Sequence, residues 1–187
     1  MIQKQAAIVH LWEGNPEYCW YPTAKSGLED LGYAVTVPQM PNPDAPDQDT
    51  WVSVLREIVG DPTEDTSLIG HSIGAVTILR YLESLREDQK IGHAVLVAGF
   101  TDGMGYDVFS NFFTQPLDLE TIATRADRFT VIVSDNDPYI DRRYGEELKD
   151  RLHGELIVKA ALLHMSEGCN DLPDVVNAIA VHDAIKQ

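Results

Sequence analysis

Short apolar runs alternate with amphipathic stretches along the whole chain. Continuous apolar runs are typical of strands that are buried on both faces of a parallel sheet. Such runs predict strands at residues 6–12, 33–37, 93–98, 129–133 and 155–158, and a further strand that leads into Ser72. Apolar residues at helical spacing predict helices at residues 23–31, 51–59, 141–152 and 172–186, and one that begins near Ala75. Asp49 or Thr50 is the expected N-cap of the helix at 51–59, because both side chains can accept a hydrogen bond from a free backbone N–H.

The order of these elements predicts the fold class. Strands that alternate with helices form a mainly parallel sheet with helices on both faces, which is a three-layer α/β/α architecture. No internal repeat, low-complexity tract or linker divides the sequence, so we expect one domain over residues 1–187. Residues 38–49 are rich in Pro, Asp and Asn and are expected to form a loop. Residues 102–118 lack a regular period and are expected to form a functional loop or cap.

The charge balance makes several classes of partner unexpected. The 187 residues include 30 acidic and 14 basic side chains, which gives a formal net charge of −16. Nucleic acids attract basic surfaces, so we expect no nucleic-acid partner. An anionic membrane surface is disfavoured for the same reason. No run approaches the roughly 18 apolar residues that are needed to span a bilayer.

The cysteine usage bears on the compartment. Cys19 and Cys169 are too few for a disulfide framework, and neither lies in a Cys-x-x-Cys motif. We therefore expect free thiols in a reducing compartment. The apolar stretch at residues 6–12 is too short for the core of a signal peptide with its cleavage site. Together these features predict a cytoplasmic protein.

The pentapeptide Gly70-His71-Ser72-Ile73-Gly74 is the strongest chemical signal in the chain. It lies where a predicted strand meets a predicted helix, and Gly-x-Ser-x-Gly at such a junction is the signature of a nucleophile elbow. The turn is so tight that only glycine fits well on both sides of the serine. Ser72 is therefore the candidate nucleophile, and the alternative is a serine in a purely structural turn.

A serine hydroxyl is a weak nucleophile until a base removes its proton, so a histidine and an acid are expected nearby. Ligand-binding residues of a parallel sheet lie just beyond the carboxyl ends of the strands. His164 follows the last predicted strand and is the candidate base. Asp137 follows the preceding strand and is the candidate acid, with Asp135 as the fallback and Asp102 as a third candidate. The chain order Ser, Asp, His is the order found in α/β-hydrolases.

The other five histidines have weaker claims to a catalytic role. His71 lies inside the elbow, where its side chain is expected to point away from that of the serine and to serve packing or orientation. His10 ends the first predicted strand and either lines the site or lies in the core. His93 opens a strand, and His153 and His182 are expected on helix surfaces.

The oxyanion hole is expected to consist of two backbone N–H groups. The first belongs to Ile73, the residue after the nucleophile, and the second to the loop after the first strand, at Leu11 or Trp12. Four aromatic side chains either line an apolar acyl pocket or pack in the core: Trp12, Phe109, Phe112 and Phe113.

Several segments are more specific than the elbow. The most specific are Trp20-Tyr21-Pro22 before the first helix and Met40-Pro41-Asn42-Pro43 after a short strand. The others are His10, residues 14–19, Leu28, Gly32-Tyr33, Pro38-Gln39, Trp51, residues 70–75, residues 134–139 and His164. Together they resemble the small serine hydrolases of the retinoblastoma-binding protein 9 type, over nearly the whole chain.

This resemblance implies an α/β-hydrolase fold with about six mainly parallel strands and no large cap domain. It implies the same triad as the residues themselves, and the hydrolysis of an ester or amide. The chain departs from the family pattern at two places. Leu11 replaces the glycine that tends to follow the histidine at the end of the first strand, and Leu163 and Met165 flank His164 in place of glycine and phenylalanine.

Two functions compete at this stage. The first is a serine esterase that cleaves a small ester or amide through an acyl-enzyme. The alternative is a non-catalytic protein-binding module that retains the hydrolase fold, because fold alone does not set function and Leu11 departs from the family pattern. A metal site built from His10, His71 and His164 lacks any ligand spacing signature, so no metal or cofactor is expected. No Leu-x-Cys-x-Glu motif is present, so a retinoblastoma protein partner is not indicated.

Overall fold

The computed structural model describes residues 4–186, which alternate between strands and helices. The strands are β1 (Gln5–Val9), β2 (Ala34–Thr36), β3 (Thr66–His71), β4 (Ile91–Val97), β5 (Ala126–Ser134) and β6 (Glu155–Lys159). The α-helices are α1 (Tyr21–Asp30), α2 (Gln48–Val59), α3 (Ile73–Glu83), α4 (Leu119–Ala123), α5 (Arg142–Arg151) and α6 (Pro173–Ile185), and a 3₁₀ helix covers Asp107–Phe113. None of the helices between residues 4 and 186 has the length and hydropathy that crossing a bilayer requires.

The six strands form one sheet in the order β2-β1-β3-β4-β5-β6, and all neighbouring pairs are parallel. Helix α1 packs against α6, whereas α2, α3, α4 and α5 form a second contiguous layer. This confirms the predicted α/β fold with a parallel sheet and helices on both faces.

The strand order reverses at β1, and this reversal positions the site. Strand β2 adds to one side of β1, and β3 to β6 add to the other. Connections that leave in opposite directions open a crevice at the carboxyl ends of β1 and β3, where open α/β sheets bind ligands. Ser72 directly follows β3, and the loop after β1 begins at His10. Both segments therefore lie at this crevice.

Helix α3 is buried on nearly all sides. Every residue from Ile73 to Leu82 is buried, as is every residue of β3. Arg80 is the charged exception, and its guanidinium donates to the carbonyl of Phe112 at 2.9 and 2.7 Å and to Glu83 at 2.6 Å. Because a buried charge is tolerated only with such partners, Arg80 ties the irregular segment at 102–118 to the core helix.

The N-cap of α2 and the exposure of His182 differ from the prediction, and helix α4 was not predicted, each for a physical reason. Helix α2 begins at Gln48, and its N-cap is Asp47, whose carboxylate accepts a hydrogen bond from Thr50 N–H at 2.9 Å. Asp49 and Thr50 cannot cap the helix because both already lie within it. The sequence does not predict helix α4 because five residues are too few to reveal a helical period. His182, expected on a helix surface, is only 6% exposed because this side of α6 faces the sheet.

Two glycines allow the close packing of the elbow. A Cβ at Gly74 would overlap the carbonyl oxygen of Val9 and would lie 2.7 Å from that of His10. A Cβ at Gly70 would lie 2.5 Å from the Cα of Ala75. The glycines of the motif thus permit close contact of α3 with β1 and β3.

We predict that Gly74→Ala lowers the free energy of unfolding by about 1–3 kcal/mol, because the backbone oxygens that it meets cannot rotate aside. Denaturant unfolding followed by tryptophan fluorescence measures the change. Gly103→Ala is the matched control, since a Cβ there meets only Phe113 Cδ2, at 3.6 Å. If both variants have the stability of the wild type, the elbow is less tightly packed than described.

His93 and His182 form a buried pair at the amino end of the sheet. Their ring centroids lie 5.1 Å apart, and Nε2 of His93 lies 2.9 Å from the hydroxyl of Thr130. Burial, with smaller contributions from the nearby His182 and Arg128, lowers the pKa of His93 to about 3. His93 therefore stays neutral in the folded protein at a pH where the unfolded chain takes up a proton.

We predict that this difference makes the fold acid-sensitive. As the pH falls from 6.5 towards about 3, the unfolded state binds the proton that folded His93 refuses, and stability decreases. The limiting slope from one histidine is about 1.4 kcal/mol per pH unit. Urea unfolding at a series of pH values measures it. His93→Gln should flatten the slope, whereas the control His153→Gln, at an exposed histidine, should leave it unchanged. A slope unaltered in His93→Gln would contradict the assignment.

Candidate active site

Ser72 lies at the sharp turn between β3 and α3. Its φ of 57° and ψ of −120° form a left-handed conformation that residues other than glycine rarely adopt. The Ser72 N–H donates to the carbonyl of Val97 on β4 at 2.8 Å, which holds the turn against the sheet. Ser72 is 5% exposed and precedes the first residue of α3. The turn thus has the geometry that the elbow motif predicts.

His164 and Asp137 form a hydrogen-bonded pair. Nδ1 of His164 lies 2.8 Å from Oδ2 of Asp137, so Nδ1 carries the donated proton and Nε2 of the neutral ring keeps a free lone pair. The other carboxylate oxygen accepts from the N–H groups of Tyr139 and Ile140 at 2.9 and 3.1 Å. The side chains of His164 and Asp137 are only 10% and 3% exposed. The arrangement fixes the ring orientation and can stabilise an imidazolium.

The loop that carries His164 has a strained backbone. Ala161, Leu163 and Met165 have φ values of 57°, 50° and 52°. Left-handed residues other than glycine persist only where the surrounding structure holds them in place. Some other part of the molecule must therefore hold this loop.

Side chains at the end of β5 and directly after it bind the first half of the loop. They accept hydrogen bonds from three consecutive backbone N–H groups: Asp135 from Ala161 at 2.8 Å, Ser134 from Leu162 at 3.1 Å, and Asn136 from Leu163 at 2.9 Å. The segment that carries Asp137 thus also shapes the loop that carries His164.

Side chains of the elbow and of the segment before α1 form hydrogen bonds with the next two carbonyl groups of the loop. Nε2 of His71 lies 2.8 Å from the carbonyl oxygen of His164. Nε1 of Trp20 donates to the carbonyl of Met165 at 3.0 Å. Each residue from 161 to 165 therefore has one backbone group fixed by a side chain, and the contact from His71 brings the loop against the elbow.

The geometry gives the three candidate acids different contacts. Asp137 contacts the ring of His164, whereas Asp135 accepts from the backbone of Ala161. Asp102 accepts from the hydroxyl of Tyr144 at 2.7 Å. Among the three, Asp137 is the one whose carboxylate meets the imidazole.

The loop after β1 offers a backbone N–H at Trp12. The Leu11 N–H donates to the hydroxyl of Tyr21 at 3.1 Å, and the two residues after Trp12 donate their N–H groups to backbone carbonyls. Within residues 4–186, no acceptor is found for the Trp12 N–H. Of the two predicted loop donors, Trp12 is therefore available to a ligand. The other donor expected in the oxyanion hole is the N–H of Ile73. It lies at the first position of α3, where helix N–H groups lack intrahelical partners.

Leu11 fits this loop without backbone strain. Its φ lies outside the left-handed region, so the position does not require the glycine of the family pattern. The need for a glycine falls instead on Gly14, where a Cβ would lie 2.8 Å from the Leu11 carbonyl oxygen and 2.9 Å from Nδ1 of His10. The departure at Leu11 therefore leaves the turn able to present the Trp12 N–H.

His10 and His71 are fully buried beside the site. Nδ1 of His10 lies 2.8 Å from the Leu11 carbonyl oxygen, and its Nε2 accepts from Met40 N–H at 3.0 Å. Nδ1 of His71 lies 2.8 Å from the hydroxyl of Tyr21. Burial lowers the pKa of His10 and, well below the usual 6.5, that of His71. All four ring nitrogens are engaged, and residues 4–186 contain no group of three or more side chains suited to a metal ion.

Sequence reasoning missed the parts played by several polar side chains around the site. The hydrogen bonds of Tyr21, Trp20, Ser134 and Asn136 join segments far apart in the chain. The one available signal was the resemblance of residues 20–22 and 134–139 to a family pattern, which marks such positions without saying what they contact.

Three large apolar or aromatic side chains on the loops of the site are exposed at the surface. Trp12 is 38% exposed, Tyr139 61% and Leu163 54%. Phe109 packs edge-on against Trp12 with a centroid distance of 6.2 Å and is almost buried. Phe112 is fully buried, so for this residue the packing interpretation is correct.

Comparison with known proteins identifies the family to which the chain belongs. The family model described as "Serine hydrolase" matches residues 6–180. The YdeN protein of Bacillus subtilis (strain 168) is 29% identical over 174 residues, which cover 92% of this chain and 88% of that protein. Serine hydrolase RBBP9 of Rattus norvegicus is 28% identical over 141 residues, which cover 73% of each.

Solved structures share the fold. The crystal structure of the ydeN gene product from B. subtilis has a TM-score of 0.91 at 27% identity and covers 97% of this chain and 99% of that one. Est1E from Butyrivibrio proteoclasticus has a TM-score of 0.75 at 13% identity, with 97% and 89% covered, which is a likeness of fold. The family resemblance of the sequence is confirmed, and the chain belongs to the serine hydrolase family, as an enzyme with the α/β-hydrolase fold.

Proposed function

We propose that Ser72, His164 and Asp137 form a catalytic triad that hydrolyses a small ester or amide through an acyl-enzyme. The observation that carries the proposal is the buried hydrogen bond of 2.8 Å between His164 and Asp137, on a loop held against the elbow of Ser72. This bond occupies Nδ1 and leaves Nε2 of His164 as the base.

In this mechanism the Ser72 hydroxyl attacks the substrate carbonyl while Nε2 of His164 takes the hydroxyl proton. The imidazolium, stabilised by Asp137, then returns the proton to the leaving group, and the acyl-enzyme forms. Water repeats the sequence and releases the acid. The hydrogen bonds found among residues 4–186 do not include one between Ser72 Oγ and His164 Nε2, and we infer that this contact closes when substrate binds.

The oxyanion of the tetrahedral intermediate is held by the N–H groups of Ile73 and Trp12. The N–H of Ile73 adds the partial positive charge of a helix N-terminus. Trp12 supports the role because its N–H has no acceptor within residues 4–186, whereas that of Leu11 is donated to Tyr21.

The surroundings favour a small substrate with an apolar part. The exposed ring of Tyr139 lies 5.3 Å from that of His164, measured between centroids. Trp12 and Leu163 expose apolar surface on the loops that carry the proposed oxyanion donor and the proposed base. The formal net charge of −16 disfavours polyanionic substrates, so nucleic acids and anionic membranes are not proposed as partners. The cytoplasmic location expected from the free cysteines, Cys19 and Cys169, stays a prediction.

We predict that a fluorophosphonate probe labels the wild type and that Ser72→Ala abolishes labelling. The probe phosphonylates an activated serine, so the loss locates the nucleophile. Gel fluorescence after labelling measures it, and hydrolysis of a short-chain p-nitrophenyl ester should disappear in parallel. A serine elsewhere on the surface, Ser53→Ala, is the control. A wild type that neither labels nor hydrolyses any ester of a chain-length panel would favour the non-catalytic binding module.

We predict that Asp137→Asn lowers kcat about a thousandfold or more, because the neutral amide no longer stabilises the imidazolium or its correct tautomer. Asp135→Asn is the matched control: its side-chain oxygen can still accept from the Ala161 N–H, so kcat should stay close to that of the wild type. Steady-state kinetics on one ester measure both. A larger loss in Asp135→Asn than in Asp137→Asn would exchange the two roles.

A further inference from the structure

The hydroxyl of Tyr21 connects the loop after β1 with His71 of the elbow, which in turn contacts the loop that carries His164. It accepts from the Leu11 N–H at 3.1 Å and lies 2.8 Å from Nδ1 of His71. Nε2 of His71 in turn lies 2.8 Å from the carbonyl oxygen of His164. Tyr21 and His71 are both fully buried. Three hydrogen bonds thus connect the loop after β1, through the elbow, to the loop that carries His164.

The proton positions in this chain of bonds have one consistent solution. The carbonyl of His164 can only accept, so Nε2 of His71 carries a hydrogen. Burial without a carboxylate partner keeps the ring neutral, so Nδ1 has a lone pair and accepts from the Tyr21 hydroxyl. The hydroxyl oxygen then accepts from the Leu11 N–H. Every donor has an acceptor, and no net charge is placed beneath the nucleophile.

Packing holds the two rings in this arrangement. The ring of Trp20 lies 4.7 Å from that of Tyr21 and 5.6 Å from that of His71, measured between centroids. Nε1 of Trp20 also donates to the carbonyl of Met165, the residue after His164. Movement of the His71 or Trp20 ring would therefore disturb the backbone carbonyls of the proposed base and of the residue that follows it.

We propose that Tyr21 and His71 are positioning residues that set the separation between the oxyanion loop and the base. The inference rests on the proposed triad, and it assigns the histidine of the elbow motif a task that the triad does not include. By occupying the Leu11 N–H, Tyr21 orients the next peptide so that the Trp12 N–H faces the site. By holding the carbonyl of His164, His71 fixes the height of the imidazole above Ser72.

The first test removes the hydroxyl. Tyr21→Phe leaves the Leu11 N–H and Nδ1 of His71 without their partner, and kcat should fall about tenfold with KM little changed, because the oxyanion contact develops in the transition state. Tyr33→Phe is the matched control, since this buried tyrosine donates to Asp183 at 2.8 Å at the amino end of the sheet. Rates are expressed per active site titrated with fluorophosphonate, so that a smaller fraction of folded protein does not lower the measured kcat.

The second test separates the contact to His164 from simple filling of space. The amide of glutamine can place an N–H where Nε2 of His71 lies, whereas leucine offers no donor. His71→Gln should therefore retain several-fold more activity than His71→Leu. His93→Leu, which removes a buried histidine outside the site, should lower stability but not kcat per active site.

The third test does not depend on activity. Amide exchange of Leu11 followed by NMR should accelerate in Tyr21→Phe but not in Tyr33→Phe. The downfield proton resonance of the bond between His164 and Asp137 should persist in the wild type and broaden or vanish in His71→Leu. If the wild type hydrolyses and labels nothing, the proposed triad fails, and these spectra still decide the positioning role. Unchanged exchange of Leu11, or a Tyr21→Phe kcat equal to that of Tyr33→Phe in an active protein, would overturn the inference.

Discussion

The close approach of α3 to β1 at the elbow is the constraint on which the site depends. Gly74 lets the helix N-terminus lie so near the carbonyls of Val9 and His10 that a single Cβ would overlap them. The same approach brings Ser72 beside the loop after β1. Ser72 and the N–H groups of this loop can share one crevice only because this contact exists.

Backbone strain concentrates around that crevice. Left-handed φ values lie at the carboxyl edge of the sheet at Ser72, Ala98, Ala161, Leu163 and Met165. Each costs of order 1–3 kcal/mol and needs surrounding structure to hold it. The backbone of the loop at 161–165 is fixed by hydrogen bonds with polar side chains at the end of β5 and just after it, and with the rings of Trp20 and His71. Burial of the sheet and of α3 offsets the free-energy cost of the strain.

Few charged groups lie inside the site, although the chain as a whole is strongly acidic. His10 and His71 are neutral because burial lowers the pKa of each ring. Asp137 is the carboxylate in contact with His164, and its second oxygen accepts hydrogen bonds from two backbone N–H groups. A positive charge that forms on His164 therefore meets a partner already oriented by the fold.

Sequence alone determined the sheet, the elbow and the chain order of the candidate residues, because periodicity and glycine spacing are local properties. Tertiary structure decided which aspartate meets His164, since Asp135 and Asp137 differ only in which part of the loop at 161–165 each reaches. It also decided that the Leu11 N–H is donated to Tyr21, which comes from the next helix, whereas the Trp12 N–H has no acceptor within residues 4–186. Contacts between segments distant in the chain leave no periodic trace, so only the folded molecule reveals them.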